Sequence, residues 1–246
     1  MIRPFVLALV FLTRIPVPVW FRPQPEEWGR SVFFFPWVGL VIGLMMASLY
    51  ALFPYADPGV LAALLLTIWV LTTGGLHLDG LADAADAWAG GAGDRDRILA
   101  IMKDPRSGPM AVVVTVLVLL AKFATLQVVV EYGAWKVLLW VPVLGRAAIL
   151  LMLITTPYVR PYGIGMDHAG YLPRIPCIGI LLVIAVVTVL ELRWDGTALL
   201  SALGIGFILL RQELLKRLGG TTGDTLGASC ELIEAATLVI LVLLIS

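Results

Sequence analysis

Long apolar stretches separated by short polar ones set the pattern of this chain. Seven of them read as membrane spans: 32–52, 60–73, 110–130, 137–155, 177–190, 198–210 and 235–245. A helix needs roughly 20 apolar residues to cross the hydrocarbon. The first, third and fourth stretches meet that length. The other four are short and call for flanking residues or cover from neighbouring helices. None has the short in–out alternation of an outer-membrane barrel strand. The pattern therefore predicts an all-α, polytopic transmembrane helix bundle of about seven spans, a single integral membrane domain over residues 1–246. The polar remainder falls into three segments. Those at 74–109 and 211–234 are acidic, and 157–176, rich in Pro, Gly and Tyr, reads as a loop against the membrane surface.

Composition reinforces this. Hydrophobic residues make up 60% of the chain and charged residues 14%, and the mean hydropathy is +0.98. A soluble domain carries about 25% charged residues, so a lipid bilayer must cover much of this surface. Formal net charge is zero, which gives no general attraction to nucleic acid. The N-terminal run 5–12 is short and is followed by Arg14, Pro16 and Pro18 rather than a small-residue cleavage site, so an interfacial helix suits it better than a signal peptide. Cys177 and Cys230 lie far apart without paired histidines and suggest neither a metal site nor a disulfide framework.

Charge asymmetry gives an orientation. With the N-terminus inside, the inner segments hold Arg3, Arg14, Arg22, Arg30, Arg95, Arg97, Lys103, Arg106, Arg160, Arg174, Arg211, Lys216 and Arg217, whereas the outer loops hold only Lys136 and Arg193. Both acidic segments then face the cytoplasm. They also resemble each other: Gly74-Gly75 precedes Asp79, and Gly219-Gly220 precedes Asp224.

Asp79, Asp83 and Asp86 stand at i, i+4 and i+7, one face of a helix. Carboxylates this close repel unless a cation lies among them. An oxygen donor set selects Mg²⁺, Mn²⁺ or Ca²⁺ over zinc. Asp224, Glu231 and Glu234 repeat the theme. A solvated acidic helix end would give the same pattern. Glycines and alanines thread both clusters; they suit close helix packing in lipid and equally the approach of phosphate oxygens to backbone N–H groups. Lys122 and Arg146 lie deep in their spans, where a charge needs a partner carboxylate or a polar cavity holding an anion. His77, two residues before Asp79, reads either as a surface hydrogen-bonding group or as a ligand or proton-transfer group.

Several strings, in order, resemble the cobalamin synthase family of adenosylcobinamide-GDP ribazoletransferases: Phe11-Leu12-Thr13-Arg14-Ile15-Pro16-Val17-Pro18, Gly74 through Asp86, Ile101-Met102-Lys103-Asp104-Pro105-Arg106-Ser107-Gly108, Ala121-Lys122, Gly145-Arg146, and Gly219 through Glu231. The resemblance covers nearly the whole chain. It implies a Mg²⁺-dependent phosphotransferase of the bacterial cytoplasmic (inner) membrane, with its active site facing the cytoplasm. Adenosylcobinamide-GDP and α-ribazole, or its 5′-phosphate, would be the substrates, adenosylcobalamin or its 5′-phosphate the product, and GMP the leaving group. In that frame Asp79, Asp83, Asp86 and Asp224 are the expected metal ligands and Arg14, Lys122, Arg146, Gly219, Gly220 and Thr222 the expected substrate contacts. His77 or a free carboxylate is the expected base, so His77, Asp79 and Asp83 form the catalytic set. Partners beyond substrates and lipid are not indicated; a homo-oligomer is compatible with the sequence.

Two competitors are weaker. A CDP-alcohol phosphotransferase requires Asp-Gly-x2-Ala-Arg-x8-Gly-x3-Asp-x3-Asp. Asp79-Gly80 begins that pattern and Gly93 fits it, but Asp83 and Ala84 stand where Ala-Arg is required and Arg97 and Ile101 where the last two aspartates are required. A transporter would place its ionisable groups near the midplane, whereas these acidic clusters lie at span ends.

Overall fold

The computed structural model describes residues 2–245. Their regular structure is helical: α1 Ile2–Leu12, α2 Pro25–Ser31, α3 Phe35–Leu52, α4 Pro58–Thr73, α5 Leu76–Gly90, α6 Arg95–Ile101, α7 Pro109–Glu131, α8 Val137–Thr155, α9 Ile164–Gly170, α10 Arg174–Leu218 and α11 Gly223–Ile245, with a 3₁₀ turn at Val32–Phe34. Five helices are long and apolar enough to cross a membrane, or six if α4 and α5, bent by 86°, form one span. The chain is a multi-pass membrane protein.

The seven expected stretches all fall on helices, but two of them lie within α10. At about 1.5 Å per residue, 45 residues would overrun a hydrocarbon layer of about 30 Å. The break is at Arg193, whose φ of 54° and ψ of −124° lie outside the helical range. Both ends of α10 return to the same level. Arg174 Nη1 lies 3.5 Å from the Ile154 carbonyl, and Arg211 Nη2 donates to the Thr155 carbonyl at 2.7 Å. At the opposite end Glu191 pairs with Lys136 at 3.1 Å. The helix is thus a hairpin of two arms, 174–192 and 194–218.

The bend between α4 and α5 has a local cause. Gly74 and Gly75 both take left-handed backbone, φ 62° and 70°, which ends α4 in a glycine cap and redirects the chain into α5. Helix α8 occupies the centre and is buried over most of its length. Helix α3 packs on it through Gly39 and Gly43, whose missing side chains leave room for the backbone at Pro142 and Leu138, the close approach that small residues allow in lipid. The 157–176 segment, expected as a loop, holds α9 instead. Its His168 is buried against Phe11, Trp28 and Phe35, contacts from distant parts of the chain that a local pattern does not reveal.

Candidate functional site

The site forms where α5 and α11 begin and cross. A side chain at Gly80 would meet the Asp224 carbonyl at 2.7 Å, and one at Gly227 would meet the His77 backbone at 3.2 Å. These two glycines let the helices touch, which sets Asp79 and Asp224 around one small cavity. The segments that follow the two Gly-Gly pairs therefore meet at one end of the bundle.

A backbone bridge completes that end. Val159 N donates to the Thr221 carbonyl at 2.9 Å and Thr221 N to the Pro157 carbonyl at 2.8 Å. Gly220 lies beneath Pro157, where a side chain has no room. The bridge carries Arg160 to Asp224, with Nη2 2.6 Å from Oδ2. Asp83 lies within electrostatic reach of Asp79, Asp224 and Arg160. The rim thus sets three carboxylates against one guanidinium. Arg160 reads in the sequence as an ordinary inner-face charge; only the bridge reveals its partner. Tyr158, also from this segment, lines the cavity, and burial raises its phenol above the usual value.

Other expected site residues are placed differently. Asp86 accepts hydrogen bonds from Gly108 N at 2.5 Å and Ala111 N at 2.9 Å. It caps the start of α7 rather than joining the rim, because the 104–108 turn delivers unpaired N–H groups to it. Among the described residues no three His, Cys, Asp or Glu side chains converge as a ready metal-binding group. Thr222 is fully buried. Its Oγ1 accepts from Thr225 N at 3.2 Å while Thr225 Oγ1 accepts from Thr222 N at 2.8 Å, a reciprocal cap for α11 and not an open substrate contact. Gly219 ends α10 in left-handed backbone, φ 73°, and Gly220 serves the bridge.

Lys122 and Arg146 are paired with carboxylates inside the bundle. Lys122 Nζ lies 2.6 Å from both Glu231 Oε2 and Glu234 Oε2 and 4.2 Å from the Trp69 ring centre. Arg146 pairs with Glu234 Oε1, and all four side chains are buried. Gly145 makes room for Glu234, since a side chain there would come within 2.5 Å of its Cγ. The two deep cations therefore meet carboxylates of α11, the structural alternative to a polar cavity, and Glu231 and Glu234 belong to this network and not to the acidic rim.

His77 joins the two regions. Its Nδ1 lies 3.4 Å from Arg146 Nη2. A guanidinium only donates, so Nδ1 accepts and the ring proton sits on Nε2. Nε2 is buried without a partner. Nε2 is therefore a donor without an acceptor, where a base would need a lone pair. Arg14 lies across Gly74 and lines a groove of about 630 Å³ with Gly75, Asp79 and Ser107; its backbone N–H donates to the Thr72 carbonyl at 2.7 Å.

Comparison with known proteins bears on this geometry. Residues 4–242 match the family model described as Cobalamin-5-phosphate synthase. The chain is 52% identical over 241 residues to the adenosylcobinamide-GDP ribazoletransferase of Pseudomonas syringae pv. syringae (strain B728a), covering 98% of this chain and 99% of that protein. It is 49% identical over 236 residues to the protein of the same name from Stutzerimonas stutzeri (strain A1501), covering 96% of each. No solved structure matches the chain.

Proposed function

The chain belongs to the cobalamin-5-phosphate synthase family, and on that premise we propose that it is an adenosylcobinamide-GDP ribazoletransferase. A hydroxyl of α-ribazole, or of its 5′-phosphate, attacks the cobinamide-linked phosphorus. The new P–O bond forms as the bond to GMP breaks, and the hydroxyl proton passes to a rim carboxylate oxygen not occupied by metal. Adenosylcobalamin, or its 5′-phosphate, and GMP result.

The observation that carries the chemistry is the charge imbalance of the rim. Among the described residues Arg160 pairs with Asp224 and no ion pair engages Asp79 or Asp83, an arrangement that favours a divalent cation. The donors are all oxygen, which fits Mg²⁺. Asp79, Asp83 and Asp224 would hold the ion, which supplies neutralisation of the charge developing on the phosphoryl oxygens; Asp86 is left to its cap. Arg14 lines the groove that meets Asp79 and has no carboxylate partner among the described residues. It suits the GDP pyrophosphate as a planar, two-pronged donor. Helices α5 and α11 both start at the rim, so their positive ends also favour the anionic substrate. Lys122 and Arg146 act behind the site, through His77.

The test is release of GMP from adenosylcobinamide-GDP by the purified protein in detergent. It should require both α-ribazole and Mg²⁺ and stop on chelation. Release without ribazole would make the protein a hydrolase, and release unaffected by chelation would remove the metal from the reading. The inner-membrane location, with the site in the cytoplasm, rests on the charge bias of the loops. A cysteine placed at Asp96, on the site end, should be labelled only from the cytoplasm and one at Tyr55 only from outside; the native cysteines are buried. Swapped labelling would reverse the orientation.

A further inference from the structure

Behind the rim lies a cavity of about 170 Å³. It is well below the roughly 300–1,000 Å³ of a pocket that takes a whole drug-sized ligand. It has room for one flat ring system and none for a corrinoid. Its walls are aromatic and aliphatic. Phe11 and Phe35 stack at 6.0 Å between ring centres, 18° apart, and His168 sets its edge against both, 4.9 Å and 5.3 Å away. Tyr158, Leu12, Ile149, Leu153 and Leu226 complete them. His77, 3% exposed, is among the lining residues, and its Nε2–H is buried without a partner. Asp79 is exposed and Asp224 half-buried, so the carboxylates stand at the mouth and the donor deep inside.

Two aromatic bases occur in the reaction. Guanine carries several donors and acceptors, and sealing it between hydrocarbon walls would leave most of them unpaired. The base of ribazole is a fused two-ring system with one free ring nitrogen, its other nitrogen being bonded to ribose. One acceptor matches one donor. Building on the ribazole-transfer reading, we infer that this cavity receives the ribazole base, with His77 Nε2–H donating to the free ring nitrogen and the ribose directed outward to Asp79 and Asp224. Arg146 holds the required tautomer from behind and Glu234 holds Arg146, so both are positioning residues.

The test compares His77→Phe, which keeps a flat ring but no donor, with His77→Gln, whose amide N–H replaces Nε2–H. The purified full-length protein is assayed in detergent with both substrates varied. His77→Phe should raise KM for α-ribazole at least about tenfold through the lost hydrogen bond, with KM for adenosylcobinamide-GDP held within about twofold. His77→Gln should recover most of the loss. Leu153→Phe, which narrows the cavity from α8, should raise the same KM and thus tests the assignment even if the His77 variants fail to fold. A rise confined to KM for adenosylcobinamide-GDP would place guanine here, and equal loss of kcat in Phe and Gln variants with both KM values unchanged would make His77 a participant in the chemical step. Either result overturns the assignment. Should the wild-type protein release no GMP with ribazole, the transfer reading itself fails; active wild type with insensitive variants removes only the cavity assignment.

Discussion

Helix α11 carries carboxylates in two places about two turns apart, and the two are balanced in opposite ways. Inside the bundle, Lys122 and Arg146 meet Glu231 and Glu234, cation for anion, with all four buried. At the rim, Arg160 pairs with Asp224, and among the described residues Asp79 and Asp83 have no ion pair. Solvent explains the contrast. In hydrocarbon an unmatched charge is expensive, so the buried set must cancel within the protein. At the exposed rim water tolerates the excess. Carboxylates of one helix are thus paired at one depth and left in excess at another, and His77 lies between the two sets, 3.4 Å from Arg146.

The largest effect separating the two belongs to the rim. Asp79→Asn should leave melting in detergent nearly unchanged while turnover falls by at least about 10³, roughly 4 kcal/mol of transition-state stabilisation. Near-normal turnover would make this aspartate a helix-end charge. Glu234→Ala should do the reverse in kind. It strands Arg146 in the bundle, leaves Lys122 with Glu231 alone and costs about 3–5 kcal/mol of stability, read as poor expression or early melting. Replacing Lys122 and Glu231 together with Met and Leu should cost much less than changing either alone. Additive losses in that cycle would mean the pair is not coupled.

Two smaller effects sharpen the boundary of the site. Burial pushes His168 down to about 3. The unfolded chain takes up a proton on this ring near 6.5, whereas the folded one does so only near 3. Stability from this group is therefore complete above 6.5 and lost as pH falls towards 3, at about 1.4 kcal/mol per pH unit. Melting followed from pH 7.5 to 5 should show the slope, and His168→Phe should flatten it; an unchanged slope would assign it to another group. Last, Asp86→Ala should cost about 1 kcal/mol through loss of the α7 cap, with turnover hardly altered. Loss of turnover as deep as in Asp79→Asn would return Asp86 to the rim set.

The apolar stretches, their helical character and the family signatures are all legible in the chain, because hydrophobic runs and short motifs are local. So is the convergence of the two Gly-Gly-to-Asp segments, since each follows a span in the same direction. Spacing on one helix face also groups Asp86 with Asp79 and Asp83, yet cannot show that the turn before α7 claims it. Two apolar stretches separated by Arg193 do not disclose that one helical hairpin holds both. Arg160 carries no local mark beyond its charge, and Lys122 and Arg146 read equally well as pyrophosphate contacts or as halves of ion pairs. These matters turn on contacts between residues such as Arg160 and Asp224, or Lys122 and Glu231, that lie 64 and 109 positions apart. Sequence fixes which charges must find a partner in lipid; only packing, through glycines 80, 145 and 227, decides which partner lies within reach.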